Sequence, residues 1–304
     1  MRTFILAGIL FLGLAIGETA ESQETKLNVR LISGNVYMID NSVAGEFGRG
    51  NSAVLVGDDG LLLVDADALP DPRTIITGLQ GMFNKPIRYV VETACGGLLA
   101  LSKSIDSIVA VDKARRRVEQ KKCWRGYPLV LPTVTFEGEM RLYLDGEEVR
   151  VLGLPTGKTD GDAMVYFKNA NVVATGDTFV SSTLPLYTIF EGGNMLGLAE
   201  ELRRIVASVP ADAKVIPGHG PLASIGEVRK ASVALDGIRD AVAAQVDKGK
   251  TLDQIRGMNL LEPWKDQIGN NGASIPAYLQ SFYDRLRGPP EPDFQLSPDP
   301  EKNR

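Results

Sequence analysis

The residue types that most often carry hydrolytic chemistry are scarce in this chain. It contains one histidine, His219, in the sequence Gly-His-Gly, and two cysteines, Cys95 and Cys123. A catalytic zinc ion takes three protein ligands, commonly histidines, and keeps one position for a water that becomes hydroxide near neutral pH. One subunit therefore cannot build a zinc site from two or three imidazoles.

Cys95 lies in the stretch VVETACGGLLALSK, after an apolar strand and directly before Gly96-Gly97. A thiol at a helix N-terminus can have a lowered pKa and act as a nucleophile, but it needs a base, and only His219 is available. The two cysteines have no Cys-x-x-Cys spacing. A disulfide between them and two isolated thiols both remain open, because connectivity depends on spatial information.

Composition indicates a globular protein with a mildly acidic balance. The 304 residues are 44% hydrophobic and carry a formal net charge of −5, so there is a sizeable core and no overall basic field to attract nucleic acid. The basic run KARRRVEQKKCWR, residues 113–125, is a candidate surface for an acidic partner. We favour its alternative interpretation as a solvated helix face.

The N-terminus is typical of an export signal. Arg2 precedes an uncharged run, residues 4–17, which is short for a bilayer span and of the right length for a signal-peptide core. We predict a signal peptide at 1–17, a single domain at 18–287 and a disordered proline-rich tail at 288–304. The protein would be periplasmic or secreted, without stable membrane insertion; the alternative is an uncleaved N-terminal anchor.

Turn residues between apolar runs predict several hairpins, at Asp58 to Gly60, at Asp145-Gly146 and at Asn169 to Asn171. Asp71-Pro72 predicts the start of a helix whose apolar face is Ile75, Ile76, Leu79 and Met82. Two following strands, IRYVV and SIVAV, with a predicted helix from Leu98 between them, belong to a β-α-β-α-β passage and should be parallel neighbours.

The second half predicts two more helices. Residues 198–209 form the first of them, and a strand KVIP follows it. Ser224 and Glu227 form a capping box at the head of a long helix that ends at Gly249. Periodicity alone establishes only an α/β protein with many hairpins.

Four segments in order carry a family resemblance that spans about residues 28–286. They are GNVYMIDNSVAGEFGRGNSAVLVGDDGLLLVDAD, KPIRYVVETACGGLLALSKS, LPTGKTDGDAMVYFKNANVVATGDTF and VIPGHGPLAS. The chain resembles the exported branch of the metallo-β-lactamase-fold hydrolases, the superfamily of class B β-lactamases and glyoxalase II. The resemblance implies an α/β fold that is a four-layer αββα sandwich.

The resemblance also shows what the chain lacks. The family places His-x-His-x-Asp-His before the Gly-Gly pair, where this chain has only Ala94-Cys95. Lys158, in GKTDGD, stands where the family has its third zinc-binding histidine. Asp177 and His219 match the family's aspartate and last histidine.

These losses predict that no metal cofactor is bound, although the family uses zinc. Dividing the roughly 10–16 kcal/mol of a four-ligand structural zinc site evenly gives about 3 kcal/mol per ligand. Losing two ligands would then weaken binding by about four decades. We predict that Lys158 instead forms an ion pair with Asp177 in the former metal position; in the alternative, its ammonium points to solvent.

Two functional hypotheses follow. The first is a non-catalytic protein with a degenerate zinc site, Lys158, Asp177 and His219, which binds an unknown small molecule or protein. The second is a hydrolase of ester, thioester or lactam bonds that uses a non-standard metal site. Residues 182–194 would line the cleft in either case, and Asp160 and Asp162 would stabilise the turn before the following strand.

Overall fold

The structure, a computed structural model, describes residues 27–40, 50–66, 72–94, 105–120, 123, 130–181, 183–185, 191–268 and 274–288. The strands are β1 (Val29–Ser33), β2 (Val36–Ile39), β3 (Ser52–Val56), β4 (Leu61–Val64), β5 (Ile87–Val91), β6 (Ser107–Val111), β7 (Val134–Phe136), β8 (Glu139–Leu144), β9 (Glu147–Gly153), β10 (Ala163–Phe167), β11 (Val172–Ala174), β12 (Lys214–Ile216) and β13 (Ala223–Ser224). The α-helices are α1 (Pro72–Phe83), α2 (Asp112–Glu119), α3 (Leu198–Ser208), α4 (Ile225–Val246), α5 (Leu252–Arg256), α6 (Lys265–Ile268) and α7 (Ser274–Arg287). The predicted signal peptide, Asp71, the predicted helix from Leu98 and residues 289–304 of the predicted tail lie outside the described residues.

The strands form two sheets. The first has the order β1-β2-β3-β4-β5-β6-β7, and the second has the order β13-β12-β11-β10-β9-β8. As predicted, β4, β5 and β6 are parallel neighbours, and β7 continues the parallel series. Strands β1 to β4 are antiparallel.

Three apolar layers hold the sheets and helices together. A cluster shared by both sheets includes Met38, Leu55, Val165 and Phe167, all almost fully buried. A second cluster joins α1 to the outer face of the first sheet, and a third joins α3, α4 and α7 to the outer face of the second. This is the predicted four-layer αββα sandwich.

The predicted hairpins are present, and their turns show why those residues were informative. Asp145 and Gly146 have φ angles of 47° and 80° in the turn between β8 and β9, and Asn171 has a φ of 54° before β11. Glycine, asparagine and aspartate adopt this left-handed region at the lowest cost. The Asp58 to Gly60 turn joins the antiparallel pair β3 and β4.

The predicted helices that lie among the described residues are present, and the differences are near the helix ends. Helix α1 begins at Pro72 and buries Ile75, Ile76 and Leu79, but Met82 is 53% exposed, so its assignment to the apolar face is wrong. In the last turn of this helix, Phe83 takes the core-facing position, with its ring 5.2 Å from that of Tyr37 in β2. The capping box of α4 is present, with Ser224 accepting from the Glu227 backbone N–H.

Strand direction brings the predicted site residues to one edge of the second sheet. Strands β9 and β11 are each antiparallel to β10, and β12 is parallel to β11, so all three run the same way. Their carboxyl ends therefore lie at the same edge. Lys158 follows β9, Asp177 follows β11 and His219 follows β12.

Candidate functional site

Asp177 lies in a single 3₁₀ turn, Gly176–Thr178, immediately beyond the end of β11. Gly176 has a φ of 52°, and a Cβ there would lie 1.9 Å from Thr93 Oγ1. Thr93 follows β5 and donates from its backbone N–H and its hydroxyl to the two Asp65 carboxylate oxygens, at 2.9 and 2.7 Å. The turn that carries Asp177 is thus packed against the end of the first sheet.

His219 is held by backbone pairing with the segment after the Asp177 turn. Its carbonyl accepts from the Ser181 N–H at 2.9 Å, and the Gly218 N–H donates to the Phe179 carbonyl at 3.0 Å. The two segments form a short parallel bridge between Val180 and His219. Asp177 and His219 are therefore parts of one fixed backbone unit.

Asn51, which precedes β3 of the first sheet, also holds the loop that carries His219. Its side-chain amide donates to the carbonyls of Pro217 and Gly220 at 2.9 and 2.8 Å, and its backbone N–H donates to the Gly218 carbonyl at 2.6 Å. The side chain is 5% exposed. Asn51 thereby fixes both sides of His219, and the sequence prediction did not include it.

Lys158 lies in the loop between β9 and β10, which is held by α3. Its backbone N–H donates to Glu201 Oε2 at 2.9 Å. A Cβ on Gly157 would lie 2.2 Å from the same oxygen, so only glycine fits beside this carboxyl. Asp162 accepts from the Thr159 N–H and hydroxyl at 2.5 and 2.6 Å, in agreement with its predicted role in the turn.

Lys158, Asp177 and His219 meet as one cluster. Lys158 Nζ lies 3.9 Å from Asp177 Oδ2, and His219 Nε2 lies 3.2 Å from Asp177 Oδ1. The predicted Lys158–Asp177 ion pair is present, at a distance too long for a direct hydrogen bond. The three side chains are 20%, 43% and 30% exposed in chain order, so the cluster is accessible and partly desolvated.

Behind Lys158 lies a buried pair of carboxyl groups, Glu201 and Asp162, which are 0% and 1% exposed. Burial, with the nearby Asp162 charge, raises the pKa of Glu201 to about 11, and burial also raises the pKa of Asp162. Two ionised carboxylates in contact would be strongly unfavourable here. Glu201 is the protonated member of the pair and hydrogen-bonds to Asp162.

Because Glu201 keeps this proton in the folded protein, the free energy of unfolding depends on pH and falls as the pH rises. A carboxyl group whose folded-state pKa exceeds its ordinary 4.5 contributes stability that is complete below pH 4.5 and declines as pH rises toward 11. We expect Glu201→Gln to remove this decline, which is at most about 1.4 kcal/mol per pH unit between pH 6 and 9. Urea unfolding across that range checks it, with the exposed Glu137→Gln as control; parallel pH profiles for wild type and Glu201→Gln would contradict it.

In the described part of the basic run, the three consecutive arginines form ion pairs within the chain. Arg116 and Arg117 pair with Asp112 and Asp160, and Arg115 pairs with Glu119. The Arg117–Asp160 pair is bidentate, at 2.5 and 2.7 Å, with both side chains mostly buried. The Arg117–Asp160 pair anchors α2 to the loop that carries Lys158, which the sequence prediction did not foresee, whereas the other two pairs lie within α2.

The end of the predicted cleft segment lies against the same loop. The Asn194 N–H donates to the Gly157 carbonyl at 2.7 Å, and the Asp160 N–H donates to the Glu191 carbonyl at 3.1 Å. Ser182 and residues 186–190 lie outside the described residues. The assignment of 182–194 to the cleft stays a prediction.

The donor set around Asp177 does not fit zinc. Among the described residues, no group of three or more His, Cys, Asp or Glu side chains could hold a metal ion. Asp177 and His219 provide two donors, and the third position holds the Lys158 ammonium, which repels a cation bound at the same carboxylate. No reaction step is therefore derived through a metal.

Cys123 forms a disulfide, and no free cysteine is present among the described residues. Cys95, the other cysteine of the sequence, lies outside the described residues and is the one partner that a single chain offers. Of the two alternatives left open by the sequence, isolated thiols are thus excluded for Cys123. A bond between the two would also remove Cys95 as a nucleophile, because a disulfide sulfur is not a thiolate.

The fold and the position of the cluster at the carboxyl ends of its strands define a class: the chain has the metallo-β-lactamase fold. A metallo-β-lactamase from Pontibacter korlensis is similar over 69% of this chain and 99% of its own, with 17% identity and a TM-score of 0.59. Metallo-β-lactamase IND-7 matches over 70% and 99%, with 19% identity and a TM-score of 0.59.

A larger protein shares the fold over more of this chain. The stereoselective inverting sec-alkylsulfatase Pisa1 from Pseudomonas sp. is similar over 86% of this chain and 50% of its own, with 18% identity and a TM-score of 0.61. At these identities the likeness shows the fold alone. No family model and no curated protein sequence matches the chain. Among the described residues, no helix is both long enough and apolar enough to cross a membrane.

Proposed function

We propose that the protein is an exported, non-catalytic binding protein with the metallo-β-lactamase fold, in which an amine–carboxylate–imidazole cluster takes the place of zinc. The cluster is Lys158, Asp177 and His219. Its occupant is a small molecule or a segment of a partner protein. Export rests on the signal-like residues 1–17.

One observation carries the proposal: the Lys158 ammonium lies 3.9 Å from the Asp177 carboxylate, and the Lys158 side chain is 20% exposed. An ammonium at this distance offsets the charge of the Asp177 carboxylate, as a bound metal ion does in the family that the chain resembles. An ammonium cannot lower the pKa of a water molecule to near 7 as zinc does. The cluster therefore has charge balance without the metal-bound hydroxide on which zinc hydrolases depend.

The same geometry indicates what the occupant would present. Lys158 Nζ makes no hydrogen bond to any described residue, although the side chain is four-fifths buried. The Nζ atom is not among the buried polar atoms that lack a partner, so it stays in contact with solvent, and an oxygen acceptor of a ligand can take the place of water there. A carbonyl or carboxylate oxygen meets this requirement.

A ligand screen by thermal unfolding, with wild type and Lys158→Met side by side, tests the proposal. Carboxylates and amides that bind at Lys158 should raise the unfolding temperature of wild type and leave Lys158→Met unchanged. Ester, thioester, lactam and sulfate-ester substrates should show no turnover above background, with or without added zinc. Zinc-stimulated turnover that Asp177→Ala abolishes would overturn the proposal.

One observation favours a second function, that of a metal-dependent hydrolase. Asp177 and His219 remain in contact, as two ligand-type residues at the carboxyl ends of neighbouring strands. A hydrolase built on them would need further ligands, from a second subunit or from a metal that carboxylates prefer. Turnover that depends on added metal and on protein association would establish it.

A further inference from the structure

Glu201 is a fully buried carboxyl group that no chemistry at the cluster uses directly. It lies in the first turn of α3, three residues after Leu198, on the face that packs into the core. One carboxyl oxygen accepts the Lys158 N–H at 2.9 Å, and Gly157 packs directly against the same oxygen. The carboxyl thus contacts the loop at the base of the lysine side chain.

The other oxygen explains why a proton is kept there. Glu201 Oε1 is buried and has no partner if the carboxyl is ionised. Asp162, already accepting two hydrogen bonds from Thr159, contacts it as a carboxylate. A proton held by the Glu201 carboxyl group donates to Asp162, so the pair bridges α3 and the loop that carries Lys158.

We propose that Glu201, through its hydrogen bonds to the Lys158 backbone and to Asp162, is a positioning residue that sets the Lys158 ammonium against Asp177. The inference rests on the proposed function in taking this cluster as the working site. Lys158 Nζ itself has no hydrogen bond to a described residue, so its place depends on where its backbone is held. We call the hydrogen bonds of Glu201 to the Lys158 backbone and to Asp162 the Glu201 clamp. The clamp holds the backbone of Lys158 and thereby sets the position of its ammonium group.

His219 gives a direct readout, because it is the single histidine of the chain and lies 3.2 Å from Asp177. Its imidazole resonances can be followed by NMR in tag-free protein without overlap from other histidines. Removing the Lys158 charge should raise the measured His219 pKa by about half a pH unit, because a neighbouring cation disfavours imidazolium. Any variant that moves the Lys158 ammonium away from Asp177 should also raise the measured His219 pKa.

The experiment compares wild type, Lys158→Met, Glu201→Gln and Glu201→Met. We expect Glu201→Gln to keep the wild-type His219 titration, because an amide can accept from Lys158 N–H and donate to Asp162. Glu201→Met has a similar volume and neither bond, so it should shift the titration toward that of Lys158→Met. If Glu201→Met does not fold, Gly157→Ala disturbs the same contact from the opposite side and should give the same shift.

The outcomes separate the clamp from the proposed function. Suppose that Lys158→Met shifts the His219 titration, but folded Glu201→Met or Gly157→Ala keeps the wild-type titration. This result would disprove the Glu201 clamp without contradicting the Lys158–Asp177–His219 cluster. A Glu201→Gln titration that moves as far as Glu201→Met would also disprove it. No shift in Lys158→Met would contradict the cluster itself, and with it the proposed function.

Discussion

Replacing Gly218 by alanine is expected to lower the free energy of unfolding by about 3 kcal/mol or more and to displace Asp177 from His219. A Cβ at this position would lie 2.4 Å from Asp177 Oδ1 and 2.6 Å from the carbonyl carbon and oxygen of Gly176. Two of these three atoms belong to the backbone, so a rotamer change cannot relieve the contact. The turn that carries Asp177 must move.

Gly81→Ala is the matched control. Gly81 lies within α1, and a Cβ there would have no atom within 4 Å. Alanine in a helix should stabilise by about 0.5–1 kcal/mol relative to glycine. Denaturant unfolding of both variants measures the effects, and a Gly218→Ala stability within about 0.5 kcal/mol of wild type would show that this packing is not tight.

Removing the disulfide is the second change with a large expected effect. Cys123→Ser should lower the free energy of unfolding by about 3–4 kcal/mol, because a disulfide restricts the unfolded chain; with Cys95, the other cysteine of the sequence, as its partner, the closed loop would have roughly 28 residues. Cys123 is 6% exposed, so a hydroxyl there also loses apolar packing. Urea unfolding of oxidised wild type and Cys123→Ser measures the difference.

Wild type treated with reductant is the internal control for that variant. It should unfold near the Cys123→Ser midpoint, while Cys123→Ser itself should not respond to reductant. Equal stability of oxidised and reduced wild type would contradict a structural role for the bond. Disulfides persist in oxidising compartments, and the proposed export would deliver the chain to one.

Local signals in the sequence predicted most of the fold. The left-handed turn residues Asp145, Gly146 and Asn171 marked their hairpins because few other residues adopt that backbone at low cost. The capping box at Ser224 marked the start of α4 in the same local way. Met82 was misplaced because Met82 and Phe83, three and four residues after Leu79, both continue the apolar spacing, and Phe83 is the one that packs on the first sheet.

The site was only partly predictable, because its supports join residues far apart in the chain. Asn51 contacts the His219 loop across 166 residues, and an asparagine before a strand has no local feature that distinguishes this role from an ordinary turn. Glu201 did leave a signal. It is a charged residue within the apolar face that Leu198, Leu202 and Ile205 form, and such a residue must be protonated or paired.

Elemental analysis of protein purified without chelators, and then dialysed, tests the central claim most directly. The account predicts far less than one equivalent of zinc, iron or manganese per chain, and no tight binding when zinc is titrated into wild type. Near-stoichiometric metal that survives dialysis, and that Asp177→Ala or His219→Ala releases, would contradict it.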